Sequence, residues 1–324
     1  MELKPEIIER LTKLDEKYQA MGQNLSSYLD GLLFADYLTY WDYIHLDTLL
    51  SLQSPKTSFP DEQVFIIYHQ ITELYFRLCM VEFEQLETKK EIKLDFFINR
   101  LGRLNRYFDA LISSFDIMVD GMDVEQFLKF RMSLLPASGF QSGQYRMIEF
   151  CSTDFVNLIG TEHGSKYSGV FTDSMIEGMY EHLYWKTGAT ELSTGKKTLT
   201  LEQFEKKYSA SFLSLSKRFR TRNLNAIYKS FSAEDQKNEK LIHALKQLDA
   251  NVNINWKLSH YKSAVRYLQK NPEDIAATGG TNWQKYLPPR FQRISFFPEL
   301  WNKEDMENWG KNWVKQHVFG EKQG

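Results

Sequence analysis

Pro60-Asp61-Glu62-Gln63-Val64-Phe65-Ile66-Ile67-Tyr68-His69-Gln70-Ile71-Thr72-Glu73-Leu74-Tyr75-Phe76-Arg77-Leu78 is the stretch whose period decides the fold class. Within it Val64, Ile67, Tyr68, Ile71, Leu74, Tyr75 and Leu78 recur at offsets of three and four, the mark of one apolar stripe along an α-helix. Asp61 reads as the N-cap, and Glu62 adds negative charge near the positive end of the helix dipole. The same period covers about 6–20, 28–52, 93–119, 123–133, 142–159, 172–186, 200–230, 234–270 and 298–316. Short ambiguous stretches near 193–200 apart, no alternation of the strand type competes, so the chain reads as all-α.

Breaks fall at Ser54-Pro55-Lys56-Thr57-Ser58-Phe59-Pro60, at Leu135-Pro136-Ala137-Ser138-Gly139, at 188–197 and at 271–290. None is low in complexity or long enough for a free linker, and no repeat of fixed period occurs. One helical domain over 1–324 with elaborated loops is the expectation. With 17 Gly and 8 Pro in 324 residues the chain is poor in turn formers, which disfavours β-sandwich and disordered classes. Its 23 Phe, 17 Tyr and 7 Trp must fill a core or line a pocket.

Charge excludes further classes. Forty basic against 42 acidic side chains leave a net charge of −2, with no footprint for nucleic acid or a membrane surface. Two cysteines, Cys79 and Cys151, rule out a disulfide framework and Cys-rich zinc or iron–sulfur sites. Covalent haem attachment is excluded by the absence of Cys-x-x-Cys-His. The N-terminus lacks the apolar run of a signal peptide, and no 18-residue apolar window offers a membrane span. A soluble, cytoplasmic protein is expected.

Four features carry chemistry, each with a plainer reading beside it. His69 lies about 100° around its helix from the apolar stripe, with Phe65 and Glu73 one turn away on its own face. That placement describes the wall of an apolar pocket, or a core histidine. His260, in Trp256-Lys257-Leu258-Ser259-His260, has the small Ala264 one turn later, which leaves room for a flat ligand such as a porphyrin, or again for ordinary packing. Phe127 and Arg131 share a helix face just before Pro136-Ala137-Ser138-Gly139-Phe140-Gln141-Ser142. Arg131 suits a ligand carboxylate held by two parallel bonds, or the C-terminal cap of its helix. Thr278-Gly279-Gly280-Thr281 lacks the lysine and preceding strand of a phosphate loop. A lid whose hydroxyl reaches a ligand and an ordinary flexible loop both remain.

Tyr40-Trp41-Asp42-Tyr43-Ile44-His45-Leu46-Asp47, Phe65-Ile66-Ile67-Tyr68-His69-Gln70, Glu73-Leu74-Tyr75-Phe76, the Pro136–Ser142 turn, Trp256-x3-His260 and Thr278-Gly279-Gly280 occur in the order found in the tryptophan 2,3-dioxygenases, which the chain resembles from about 38 to 301. The resemblance implies an all-α helical bundle of the haem-dependent dioxygenase type, with non-covalent haem b, assembled as a homotetramer. It implies insertion of both atoms of O2 across the indole C2–C3 bond of L-tryptophan, giving N-formyl-L-kynurenine in tryptophan catabolism. The axial haem ligand then corresponds to His260, and the distal histidine that orients the indole N–H to His69, with Phe65 packing on the indole. Arg131 matches the carboxylate-binding arginine, with Arg146 the tempting wrong choice. Phe127, Leu134, Ser138 and Gly139 match other pocket positions, and Thr278 the loop threonine that contacts the amino acid end of the substrate. Tyr40, Tyr43 and Ile44 match an N-terminal helical arm (about 1–50) exchanged between subunits.

Two departures concern the loop. Thr281-Asn282-Trp283 stands where the family usually continues with Ser-Ser-Gly, and the stretch around Asn271-Pro272-Glu273-Asp274 is a few residues longer. Three readings follow: a ring-cleaving dioxygenase, a haem-dependent monooxygenase acting on an aromatic amino acid, and a non-catalytic helical protein that binds haem or another ligand.

Overall fold

The computed structural model describes residues 3–36, 38–134, 141–160, 163, 166–167, 172–187, 189–190, 196–268 and 293–310. Among them there are helices, turns and two isolated β-bridges, Ile159 with Leu183 and Thr190 with Lys197, but no strand. Lys197 of the second bridge lies in the stretch whose period was ambiguous. The chain divides into two compact units, Met1–Ser54 and Pro55–Gly324.

The first unit contains α1 (Pro5–Ala20), α2 (Leu25–Leu33), α3 (Tyr40–Tyr43) and α4 (Leu46–Leu50). The single helix expected over 28–52 is thus interrupted, for local reasons. Thr39 caps a new start by accepting from the Asp42 N–H, and His45 stands at φ 51°, a left-handed conformation that no helix interior permits. Gly22, at φ 68°, ends α1 in the conformation glycine adopts without strain.

The second unit is built on α5 (Pro60–Thr88) and α6 (Leu94–Ser114), which lie against each other. Then come α7 (Asp116–Val119), α8 (Val124–Phe130), a 3₁₀ turn Arg131–Leu134, α9 (Gly143–Ser152), α10 (Asp173–Tyr180), α11 (Tyr184–Thr187), α12 (Leu199–Phe219) and α13 (Leu224–Ser230). Last are α14 (Glu239–Ala250), α15 (Trp256–Leu268) and a short helix at Lys303–Glu307. Helix α9 packs on α5 and α12, α14 on α6, and α15 on α6, α7 and α8. Phe76, Phe83, Phe97, Leu101, Phe108, Phe212 and Phe219 fill the space between them.

Two expectations for α5 are corrected. Pro60 occupies its first turn, so Phe59 is the N-cap and makes no side-chain bond. Asp61 instead accepts from the Asp123 N–H at 2.6 Å, and the buried Glu62 holds the amides of Lys56 and Thr57. The expected stripe is also split. Tyr68, Thr72, Phe76, Cys79, Met80, Phe83 and Leu86 form the buried line, while Ile67, Ile71, Leu74 and Leu78 are exposed. Helix α5 is apolar on two faces, and the period alone does not say which one meets the core.

Between α14 and α15 the chain makes a π turn, Asn251–Asn255. The buried Asp249 anchors it. Its carboxylate accepts from Ser295 Oγ (2.6 Å), Trp301 Nε1 (2.8 Å), Asn253 Nδ2 (2.7 Å) and the amides of Phe296 and Phe297. Burial outweighs these bonds and raises its pKa above the ordinary carboxylate value. The segment 293–301 is thereby tied to the turn that leads into α15.

Candidate functional site

Helix α5 presents Phe65, Tyr68 and His69, α8 presents Phe127 and Phe130, the corner between α6 and α7 presents Phe115, and α15 presents Trp256, His260 and Tyr267. These side chains form one continuous set of ring contacts. Phe65 lies 4.0 Å, centroid to centroid, from His69 and 5.9 Å from Phe130; Phe127 lies 4.5 Å from Tyr267. On the other side Phe115 sits 4.4 Å from the His260 ring, and Trp256 4.5 Å from it, edge-on.

Both imidazoles are held the same way. His69 Nδ1 lies 2.7 Å from the carbonyl oxygen of Phe65, and His260 Nδ1 lies 3.0 Å from that of Trp256. A carbonyl oxygen only accepts, so each Nδ1 carries the proton and each Nε2 keeps a free lone pair. Among the described residues neither Nε2 has a hydrogen-bond partner. Burial lowers the pKa of both, and that of His260 falls to about 4, with the neighbouring His69 adding to the effect of burial. By solvent-accessible surface His69 is exposed and His260 half-buried, so both imidazoles keep open surface beside the rings packed against them. At neutral pH the chain therefore holds two neutral imidazoles with basic Nε2 atoms among aromatic walls.

Arg131 opens the 3₁₀ turn that follows α8, partly buried, on the element that also carries Phe127, Phe130 and the half-buried Leu134. Arg146 is committed elsewhere. Its Nη1 donates to Glu149 at 2.7 Å and to the Tyr184 hydroxyl at 3.0 Å, and its guanidinium lies over the Trp185 ring. A buried arginine so paired has no charge left for a ligand. Ser138, Gly139 and Thr278 lie outside the described residues. Tyr40, Tyr43 and Ile44 belong to the first unit, where both tyrosines are exposed. Sequence reasoning missed Phe115, Tyr267 and Lys257. Phe115 carries no sequence signal, since only the tertiary fold brings it to His260. Tyr267 and Lys257 stand two turns after and one turn before His260, and that spacing was the available signal.

Among the described residues no cluster of three or more His, Cys, Asp or Glu side chains is placed to hold a bare metal ion. Single imidazoles between rings suit a planar ligand instead. Fold and ring contacts together define an all-α protein that sets two neutral histidines among aromatic side chains.

Residues 33–214, more than half of the chain, match the family described as Tryptophan 2,3-dioxygenase. The chain belongs to that family. A protein named Tryptophan 2,3-dioxygenase from Ruegeria sp. (strain TM1040) is 40% identical over 118 residues, covering 36% of this chain and 42% of that protein. One of the same name from Bacillus thuringiensis subsp. konkukian (strain 97-27) is 29% identical over 276 residues, covering 83% of this chain and 92% of the relative. Its counterpart in Bacillus cereus (strain ATCC 10987 / NRS 248) is 28% identical over 277 residues with the same coverage. Phe65, His69 and Arg131 fall inside the family-matched segment, whereas His260 lies beyond it.

Proposed function

We propose that the protein is a haem-dependent tryptophan 2,3-dioxygenase, converting L-tryptophan and O2 to N-formyl-L-kynurenine in the cytoplasm as a homotetramer. One observation carries this reading: two neutral imidazoles, each with Nδ1–H tied to the carbonyl four residues earlier and Nε2 bare, set against the rings of Phe65, Phe115 and Trp256. That donor set fits haem b. His260 needs no proton loss to ligate iron, since its pKa is already near 4, and the i−4 carbonyl fixes its tautomer and ring orientation.

When bound, haem supplies the oxygen chemistry. The chain's own residues bind, orient and exclude water. Nε2 of His69 can accept the indole N–H, because its other nitrogen is the one that donates. With its basicity reduced by burial, His69 is assigned orientation and oxygen stabilisation rather than obligatory proton removal. Phe65, 4.0 Å from that imidazole, offers the surface on which the indole packs. Arg131 holds the substrate carboxylate, Phe127, Leu134, Ser138 and Gly139 line the pocket, and Thr278 contacts the amino acid end. Tyr40, Tyr43 and Ile44, on an arm of about residues 1–50, complete the pocket of a neighbouring subunit.

The names of the relatives favour ring cleavage over hydroxylation. Purified protein incubated with L-tryptophan and 18O2 decides between them. Ring cleavage yields a product carrying two labelled oxygens, whereas one labelled oxygen would establish the monooxygenase. A Soret band that shifts on adding L-tryptophan would argue against a non-catalytic binding protein.

A further inference from the structure

Lys257 is a half-buried cation with no counter-ion among the described residues. Its Nζ stands 4.7 Å above the Tyr184 ring centroid, and among the described residues no carboxylate lies within ion-pair distance. The charged groups that act on it are Glu149, Arg146 and Asp249. Both oxygens of Glu149 are already taken, one by Arg146 at 2.7 Å and the other by the Tyr184 hydroxyl. The Asp249 carboxylate accepts five donors, all of them neutral. Withdrawing an ammonium from much of its water is costly unless an anion pairs with it, and the described residues do not supply that anion.

The position indicates what that partner is. Lys257 precedes His260 by three residues, about one helical turn, and keeps part of its surface open. Haem b carries two carboxylates on an otherwise apolar ring, and the walls around His260 are aromatic. Of the cations near the pocket, Arg131 is assigned to the substrate and Arg146 is saturated by Glu149. We propose that Lys257 is the cationic subsite that would pair with a porphyrin carboxylate of haem held at His260. Burial lowers the Lys257 pKa to about 8, so the ammonium form predominates at neutral pH and an anion would stabilise it further.

The inference rests on haem binding at His260, and the test separates the two. Full-length holoprotein is mixed with excess apomyoglobin and the rate of haem loss is followed at the Soret band. Lys257→Met should release haem at least about tenfold faster than the parent protein, the scale set by removing one partner of a desolvated charge pair. Lys257→Arg should stay within a few-fold. Reconstitution with haem dimethyl ester, which lacks the carboxylates, supplies a readout that needs no variant. The parent protein should lose the ester about as fast as Lys257→Met loses haem, and Lys257→Met should not discriminate between the two. Equal retention of haem and ester by the parent protein, or a Lys257→Met that loses both faster to the same degree, overturns the assignment. If His260→Ala abolishes haem binding while Lys257→Met retains haem normally, only the Lys257 proposal falls. If the parent protein binds no haem, the functional reading falls with it.

Discussion

Arg131 and Arg146 are the same residue type on neighbouring helical elements, and burial with pairing separates their roles. Arg146 is locked to Glu149 and Tyr184. Removing it strands Glu149 in the core, at a cost of about 3–5 kcal/mol. Arg146→Met should therefore lower the thermal midpoint by several degrees. Arg131→Met should instead leave folding and haem content near normal and reduce kcat/KM for L-tryptophan at least about thirtyfold, the loss of one partner of a desolvated pair. Steady-state kinetics beside a melting curve check both; a selective kinetic loss in Arg146→Met alone would reverse the assignment. His260→Ala should lose tightly bound haem while remaining helical by circular dichroism. His243 is exposed on α14 and cannot take over. At this scale the sequence was legible where partners are local. Phe65 stands four residues before His69, and Glu149 three after Arg146, within reach along one helix. Tyr184 was not legible as a partner, because only the tertiary fold brings α11 to α9.

Helices were easier to read than their ends. The apolar period located α5, α6, α9, α12 and α14, yet 93–119, 142–159, 172–186, 200–230 and 234–270 each proved to be more than one element. Periodicity averages over a window, and a local break is too short to change it. The π turn Asn251–Asn255 is such a break, and it decides how α15 presents His260. No pattern in the sequence marks Asp249 as its anchor, since four of its five donors come from 295–301, far along the chain. Asp249→Ala should leave four donors from that segment unsatisfied, at roughly 1–3 kcal/mol for each one that water cannot reach. The expected result is a clear fall in the thermal midpoint and faster haem loss together, because the segment and α15 share this joint. A variant with lowered stability and unaltered haem release would show that the π turn holds its shape without Asp249.

The whole molecule exposes apolar surface that a single chain does not use. On α5 the side chains of Ile67, Ile71, Leu74 and Leu78 lie one above another, all exposed. In the Met1–Ser54 unit, Leu32, Leu33, Phe34, Leu38, Tyr40, Trp41, Tyr43 and Leu50 are exposed as well, and α1 buries no residue at all. Contiguous apolar patches of this kind mark sites of association. The homotetramer proposed for this chain accounts for both, and the two can be tested apart. Leu74→Glu, which places a charge in the middle of the α5 stripe, should shift the mass measured by light scattering toward smaller species if that stripe is covered by another copy. Deleting residues 1–45 removes the exposed tyrosines together with α1 to α3, while α5 and α15, which carry both histidines, remain. If Tyr40 and Tyr43 complete a neighbour's pocket, the deletion should abolish turnover and weaken association at once, although each chain keeps His69, His260 and Arg131. Haem should still bind, since its proposed ligand lies in the second unit. A truncated protein that is monomeric and fully active would show that each chain closes its own pocket, and the exchanged arm would have to be abandoned.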